Sequence, residues 1–263
     1  MGYIISVVNN KGGCGKTTTT CNLADALGKI GKRVLIVDMD SQCNTTGKLI
    51  PKGISIRNSL YDLLDPDEEN HKNLDDFFYP TECKNVFLLP NIGITGNLEP
   101  QLIFNAPGSF FKLRNVLRSY ASNNYDFTII DNPPNMGTFV LCSLYASDFV
   151  IVPIKAGSTD SVEGLYKATQ LIKDVQVKGN SDLRFLRILI NCVDKRTAIS
   201  KAVVEQIHKT FNQDQIFETE ISVNTTFEKA EASGKTIFQS DGTSTGARAF
   251  RKLAKELTSI LKE

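Results

Sequence analysis

Lysine, glycine and threonine recur at phosphate-binding spacing near the start of the chain, in Lys11-Gly12-Gly13-Cys14-Gly15-Lys16-Thr17-Thr18. Glycines let a loop curl until successive backbone N–H groups point at one anion. A helix opening directly afterwards adds the positive end of its dipole. In such a loop Lys16 reaches the β- and γ-phosphates of a nucleotide, and the Thr17 hydroxyl ligates Mg²⁺. Three aspartates extend this chemistry. Asp38 and Asp40 close the run Val34-Leu35-Ile36-Val37, and Asp131 closes Phe127-Thr128-Ile129-Ile130. A buried strand ending in a carboxylate delivers it to the carboxyl edge of a parallel sheet, where ligands bind. Asp131 fits the acid that holds a magnesium-bound water. The other role for an acid at a strand end is to cap a helix, and it stands as the alternative for Asp38.

Apolar, β-branched runs at 3–8, 33–37, 86–89, 127–130, 149–153 and 185–190 predict the strands that carry these groups. Their lack of polar alternation predicts a sheet covered on both faces. Helical patterns fall between them, at 17–30, 107–122, 162–177, 201–211 and 246–261. Strand–helix alternation predicts one α/β domain over 1–263 with a mostly parallel sheet. Residues 66–84 open on Pro66, Asp67, Glu68 and Glu69 and predict a polar surface excursion, and 178–182 predict a loop.

The formal net charge of +1 carries no global signal for nucleic acid, so any such surface is a local patch. Cysteines at 14, 21, 43, 83, 142 and 192 form no Cys-x-x-Cys pair, which argues against zinc and against a disulfide framework. The expectation is reduced thiols in a cytoplasmic protein. The apolar stretch at 4–8 is too short for a signal peptide, and no stretch approaches the roughly 20 apolar residues of a membrane span.

A strict phosphate-binding motif begins with glycine, but here Asn10 takes that position and Lys11 follows. This deviant Walker A pattern resembles that of the ParA/Soj-type partition ATPases of the ParA/MinD superfamily, and more distantly MinD and the nitrogenase iron protein. The resemblance implies a single P-loop domain, ATP and Mg²⁺ as cofactors, and a homodimer in the ATP state. It implies that Lys11 crosses the dimer interface to the nucleotide of the other subunit, as an arginine finger does. Asp38-Met39-Asp40-Ser41-Gln42-Cys43-Asn44 is similar to the family's Asp-x-Asp-Pro-Gln-x-Asn. By that likeness Asp40 orients the attacking water, and Asp38 supports the metal and its water shell. Ser41 replaces the proline, which predicts a less rigid switch loop. Pro133-Pro134-Asn135-Met136-Gly137 resembles switch II. Asn191 sits where related ATPases read adenine, with a turn residue as the alternative. Further landmarks, from Tyr61-Asp62-Leu63-Leu64 to Leu253-Ala254-Lys255-Glu256, extend the likeness over almost the whole chain.

The family's function implies an ATPase that binds nonspecific DNA as an ATP dimer and is released when a ParB-like adaptor stimulates hydrolysis. The chain departs from the pattern at Ser222-Val223-Asn224-Thr225-Thr226, which lacks two arginines common there, and at Ser240-Asp241-Gly242. Lys195, Arg196, Arg248, Arg251, Lys252 and Lys255 are the remaining DNA-binding candidates, with Lys201, Lys209, Lys229 and Lys235 behind them. A solvated surface is the alternative for each. Other loads are a protein complex or organelle positioned on the nucleoid, or a membrane, as in MinD. Phe250, Leu253, Leu257, Ile260 and Leu261 form a stripe that suits core packing better than a membrane, so no stable membrane association is expected. Cys142 alone gives thin support to an iron–sulfur reductase.

Overall fold

The computed structural model describes residues 1–65, 73–158 and 161–262. Its strands are β1 (Tyr3–Val7), β2 (Val34–Asp38), β3 (Tyr79–Pro80), β4 (Val86–Leu89), β5 (Phe127–Asp131), β6 (Phe149–Lys155), β7 (Arg184–Val193) and β8 (Ile221–Ser222). They form one sheet of order β3-β4-β2-β5-β1-β6-β7-β8. Every pairing is parallel except that of β3 with β4. The helices are α1 (Lys16–Lys29), α2 (Asn44–Leu49), α3 (Leu60–Leu64), α4 (Glu99–Phe104), α5 (Lys112–Asn124), α6 (Thr138–Ala146), α7 (Ser161–Lys178), α8 (Ala198–Thr210), α9 (Thr225–Ala232), α10 (Ile237–Asp241) and α11 (Thr245–Ile260).

Side chains alternate across a strand, so each central strand feeds two cores. Ile4, Leu35, Val37 and Ile130 pack with residues of α3 and α5. Ile5, Val7, Ile36 and Ile129 pack under α1 and α11. Val150, Val152, Ile154, Ile188 and Ile190 pack with α6, α7 and α8. The expected doubly covered α/β sheet is present. The stripe on the last helix is core: Phe250, Leu253 and Leu257 are buried against the α1 side. Burying each such side chain stabilises the fold by about 1.5–3 kcal/mol.

The boundaries differ from expectation where local chemistry decides them. The helix expected from 107 begins as a 3₁₀ turn, Gly108–Phe111, and becomes α-helical at Lys112. The helix expected from 201 starts at Ala198, because the Thr197 side chain accepts from Ser200 N. The strand expected over 185–190 runs on to Val193 through a register irregularity, with Cys192 at φ 55°. The segment 73–84 is not wholly a polar excursion. Asn73 caps a 3₁₀ turn, Leu74–Phe77, Phe77 and Cys83 are buried, and β3 pairs with β4. Pro66, Asp67, Glu68 and Glu69 lie outside the described residues.

Candidate nucleotide site

Register fixes the centre of the site. β5 lies between β1 and β2, pairing Asp131 with Val7 on one side and with Asp38 on the other. Both aspartates therefore stand at the edge where the Gly-rich loop leaves β1. In that loop Gly13 and Gly15 adopt φ of 69° and 89°, the left-handed region that favours glycine. Gly15 hands the chain directly into α1, whose first turn holds no acidic residue, so its dipole is left for an anion. Lys16 is buried, and its Nζ donates to the Lys11 carbonyl at 3.0 Å. The Cys14 thiol donates to the same carbonyl at 3.3 Å. Asn9 braces the loop from below: its Nδ2 donates to the Pro153 carbonyl at 2.7 Å, and its Oδ1 accepts from Lys11 N at 3.0 Å.

Asp131 is a hub for hydroxyls. Its Oδ2 accepts from Thr17 at 2.8 Å and Thr45 at 2.7 Å, and its Oδ1 accepts from Thr20 at 3.4 Å. Burial drives its carboxyl above the ordinary range, while the Thr45 and Thr17 hydroxyls and the Lys16 charge pull it back. Asp38, also fully buried, accepts from Thr46 N at 2.8 Å and Thr46 Oγ1 at 2.7 Å, and from Asp40 N at 3.2 Å. Burial first, and then the neighbouring Asp131 charge, push Asp38 up to about 7. Asp38 thus makes a capping contact to the first turn of α2 through Oδ2, while its Oδ1 faces the Asp40 backbone. Asp40 turns the following loop, its Oδ1 accepting from Gln42 N at 3.0 Å. Cys43 then adopts φ 54° and opens α2.

The segment after Asp131 is anchored at both ends. Asn132 Nδ2 donates to the Val7 carbonyl at 3.2 Å, and Ser143 Oγ donates to Asn132 Oδ1 at 2.6 Å. Thr138 N donates to Glu99 Oε1 at 3.4 Å, which ties this segment to α4.

Asn191 lies inside β7, paired with Lys155 and Ile221, and not after the strand as expected. That position removes the turn-residue alternative. Its Nδ2 donates to the Cys14 carbonyl at 2.9 Å and to Thr19 Oγ1 at 3.2 Å. A Cβ on Gly15 would stand 2.8 Å from this Nδ2, so glycine is required sterically as well. Asn191 Oδ1 is buried with no hydrogen-bond partner, and a cavity of about 250 Å³ opens here between Thr18, Asn191, Val223 and Phe227. An amide on the wall of a cavity that Phe227 also lines is suited to the edge of a base.

The donor set also decides which metal fits. Among the described residues no three His, Cys, Asp or Glu side chains converge as a metal cage. Mg²⁺ needs none, since it takes one or two protein ligands and fills its octahedron with phosphate oxygens and waters. Thr17, backed by the buried Asp131, meets that need.

The predicted cations divide into two groups. Arg248, Arg251, Lys252 and Lys255 are all exposed, and their i, i+3, i+4, i+7 spacing puts them on one face of α11. Arg251 lies over the Phe238 ring at 5.2 Å, and Lys252 Nζ is 4.0 Å from Glu218. Lys195 and Arg196 line a groove with Asn224 and Thr245 at the start of α11. Arg196 is held by Asp194 through Nε and Nη2, both at 2.9 Å, and this pairing holds Asp194 down at about 2. Sequence reasoning missed Asn9, Thr45, Thr46, Asn132 and Ser143. They are uncharged, and only the paired threonines after Asn44 offered a visible signal.

The family model described as AAA domain matches residues 2–185. The sporulation initiation inhibitor protein Soj of Bacillus subtilis is 34% identical over 257 residues, covering 98% of each chain. The chromosome-partitioning ATPase Soj of Thermus thermophilus is 34% identical over 263 residues, covering 98% of this chain and 96% of that one. Among solved structures, cobyrinic acid a,c-diamide synthase from Mycobacterium smegmatis with bound ADP and magnesium is similar at a TM-score of 0.82 and 28% identity, covering 100% of this chain and 96% of that one.

Proposed function

The chain belongs to the ParA/Soj-type partition ATPases of the ParA/MinD superfamily, and from that premise we propose that it is a Mg·ATP-driven dimerisation switch for DNA segregation. The observation that carries the reading is the joining of the Gly-rich loop to the strand-end acid, Thr17 to Asp131 at 2.8 Å, beside a buried Lys16. Lys16 and the backbone of Gly12 to Thr18 hold the β- and γ-phosphates. Thr17 and Asp131 hold the metal and its water, with Asp38 supporting that shell. Bound Mg²⁺ supplies charge neutralisation on the phosphates. Asp40 orients the attacking water, and Lys11 reaches the nucleotide of a second copy in trans. Asn191 reads the adenine edge from the cavity beside Phe227.

The ATP homodimer then binds nonspecific DNA on the nucleoid through Lys195, Arg196 and the exposed cationic face of α11, Arg248, Arg251, Lys252 and Lys255, and a ParB-like adaptor triggers hydrolysis and release. One near-neutral copy presents few of these candidate cations, and two copies double the phosphate contacts. Each neutralised phosphate adds roughly −0.9 to the slope of log affinity against log salt. Among the described residues no helix is long and apolar enough to cross a membrane. The test is DNA retention with ATP, ADP or no nucleotide across a salt series. Retention should require ATP, fall steeply with salt, ignore sequence, and vanish in the Arg248→Glu, Arg251→Glu double variant, which should still dimerise. A parent dimer that ignores DNA at low salt would turn the reading toward positioning a protein complex on another scaffold.

A further inference from the structure

Gly164 lies in the first turn of α7. A Cβ there would stand 2.7 Å from Asn10 Oδ1, 2.8 Å from Asn9 Oδ1 and 3.4 Å from Lys11 Cγ. Contacts under about 3.0 Å do not persist, so helix or loop would have to move. Glycine weakens a helix interior relative to alanine, so local propensity gives no reason for it here. Asn9 cannot give way cheaply. It is buried, and both ends of its amide are engaged, one by the Pro153 carbonyl of β6 and the other by Lys11 N. Asn10 Oδ1 is buried without a hydrogen-bond partner, pressed towards the same glycine.

We propose that Gly164 is a positioning residue for Lys11: the bare Cα lets α7 seat on the Asn9 brace, which sets the backbone from which the Lys11 side chain is launched. This rests on the reading of Lys11 as a cation delivered in trans. Lys16 enters the loop from its other end, on its own helix, and meets Lys11 only at the backbone carbonyl, at 3.0 Å, so the two side chains are launched from different supports joined by that one contact. A disturbance at Gly164 therefore separates two properties that a general folding defect would lower together. Nucleotide binding, carried by Lys16 and the loop amides, stays. ATP-driven dimerisation, carried by Lys11, goes.

The experiment uses the full chain with a fluorescent ATP analogue for binding and light scattering with a nonhydrolysable analogue for dimerisation. Misplacing a contributing group by about 1 Å costs up to about 10²-fold, so Gly164→Ala should lose about tenfold or more in dimerisation while nucleotide affinity stays within about threefold. Asn9→Ala removes the brace of the phosphate loop itself, so it should lose dimerisation and nucleotide affinity together, and a thermal melt of Gly164→Ala sets the temperature at which the folded variant is assayed. A Cβ on residue 164 would still meet Asn10 Oδ1 at 2.7 Å in the Asn9→Ala background, so the cost of Gly164→Ala should shrink there without vanishing, as it does for residues that share a contact. Gly164→Ala dimerising like the parent, or effects that add in full, would overturn the inference. Lys11→Ala is the control: if it dimerises normally, the in-trans reading itself fails, whereas a defect there with none at Gly164 removes only the positioning role.

Discussion

Thr45→Val probes whether hydroxyls hold the buried acid of the site. Valine keeps the shape of threonine and cannot donate. Thr45 is fully buried, and its Oγ1 lies 2.7 Å from Asp131 Oδ2. A hydrogen bond to a charged group contributes about 1.5–3 kcal/mol, and a fully buried Asp131 has no water with which to replace it. In a chain of this size each kcal/mol moves the melting point by about 2–4 °C, so the variant should melt roughly 3–12 °C lower near neutral pH. The pH dependence has a definite sign. Burial raises the folded carboxyl of Asp131 above its unfolded value, so the folded state takes up the proton first. The cost of an under-bonded carboxylate is then fully present above the folded pKa and relieved as the pH falls through it. The deficit of Thr45→Val should shrink on acidification. Calorimetric or circular-dichroism melts across a pH series read this directly. Equal melting at neutral pH, or a deficit that grows with acid, would refute the argument.

Two further outcomes are expected. Asp40→Ala should bind Mg·ATP, hydrolyse it very slowly and accumulate as a dimer, since the water loses its orienting group; normal turnover in steady-state assays would remove Asp40 from the mechanism. Burial pushes Cys21 and Cys142 up to about 12 and Cys43 up to about 11, so native thiols should react slowly with a disulfide reagent at mildly alkaline pH and all six should react after denaturation; a fast native phase from any of these three would contradict the structure.

The loop at Lys11–Thr18 and the acids at Asp38, Asp40 and Asp131 were legible because each depends on a local pattern, glycines at fixed spacing or an acid ending an apolar run. The stripe on α11 was legible because 3.6-residue periodicity is a property of one segment. What escaped detection lacks such a signature. α6 is buried on nearly all sides, so it shows no polar face to mark it as a helix. α2 spans only six residues, too few for a period to emerge. Asn191 was placed past the end of its strand because the register irregularity at Cys192 lets β7 continue where the apolar run stops. The brace at Asn9 and the seat at Gly164 depend on residues far apart in sequence.

Thr45 and Thr46 connect these levels. They are consecutive on α2, yet Thr45 donates to Asp131 on β5 and Thr46 to Asp38 on β2. Those carboxylates are direct neighbours in the register, so one helical turn bridges the two strands. The turn starts at Cys43, whose N–H donates to the Asp40 carbonyl at 2.8 Å, so its position sets that of the Asp40 loop. Thr17 shares Asp131 Oδ2 with Thr45. A ligand that draws the Thr17 hydroxyl away leaves that oxygen to Thr45 alone, one of the two anchors of α2. The Gly-rich loop and α2 therefore meet at a single carboxylate oxygen, and α2 in turn leads back to the Asp40 loop.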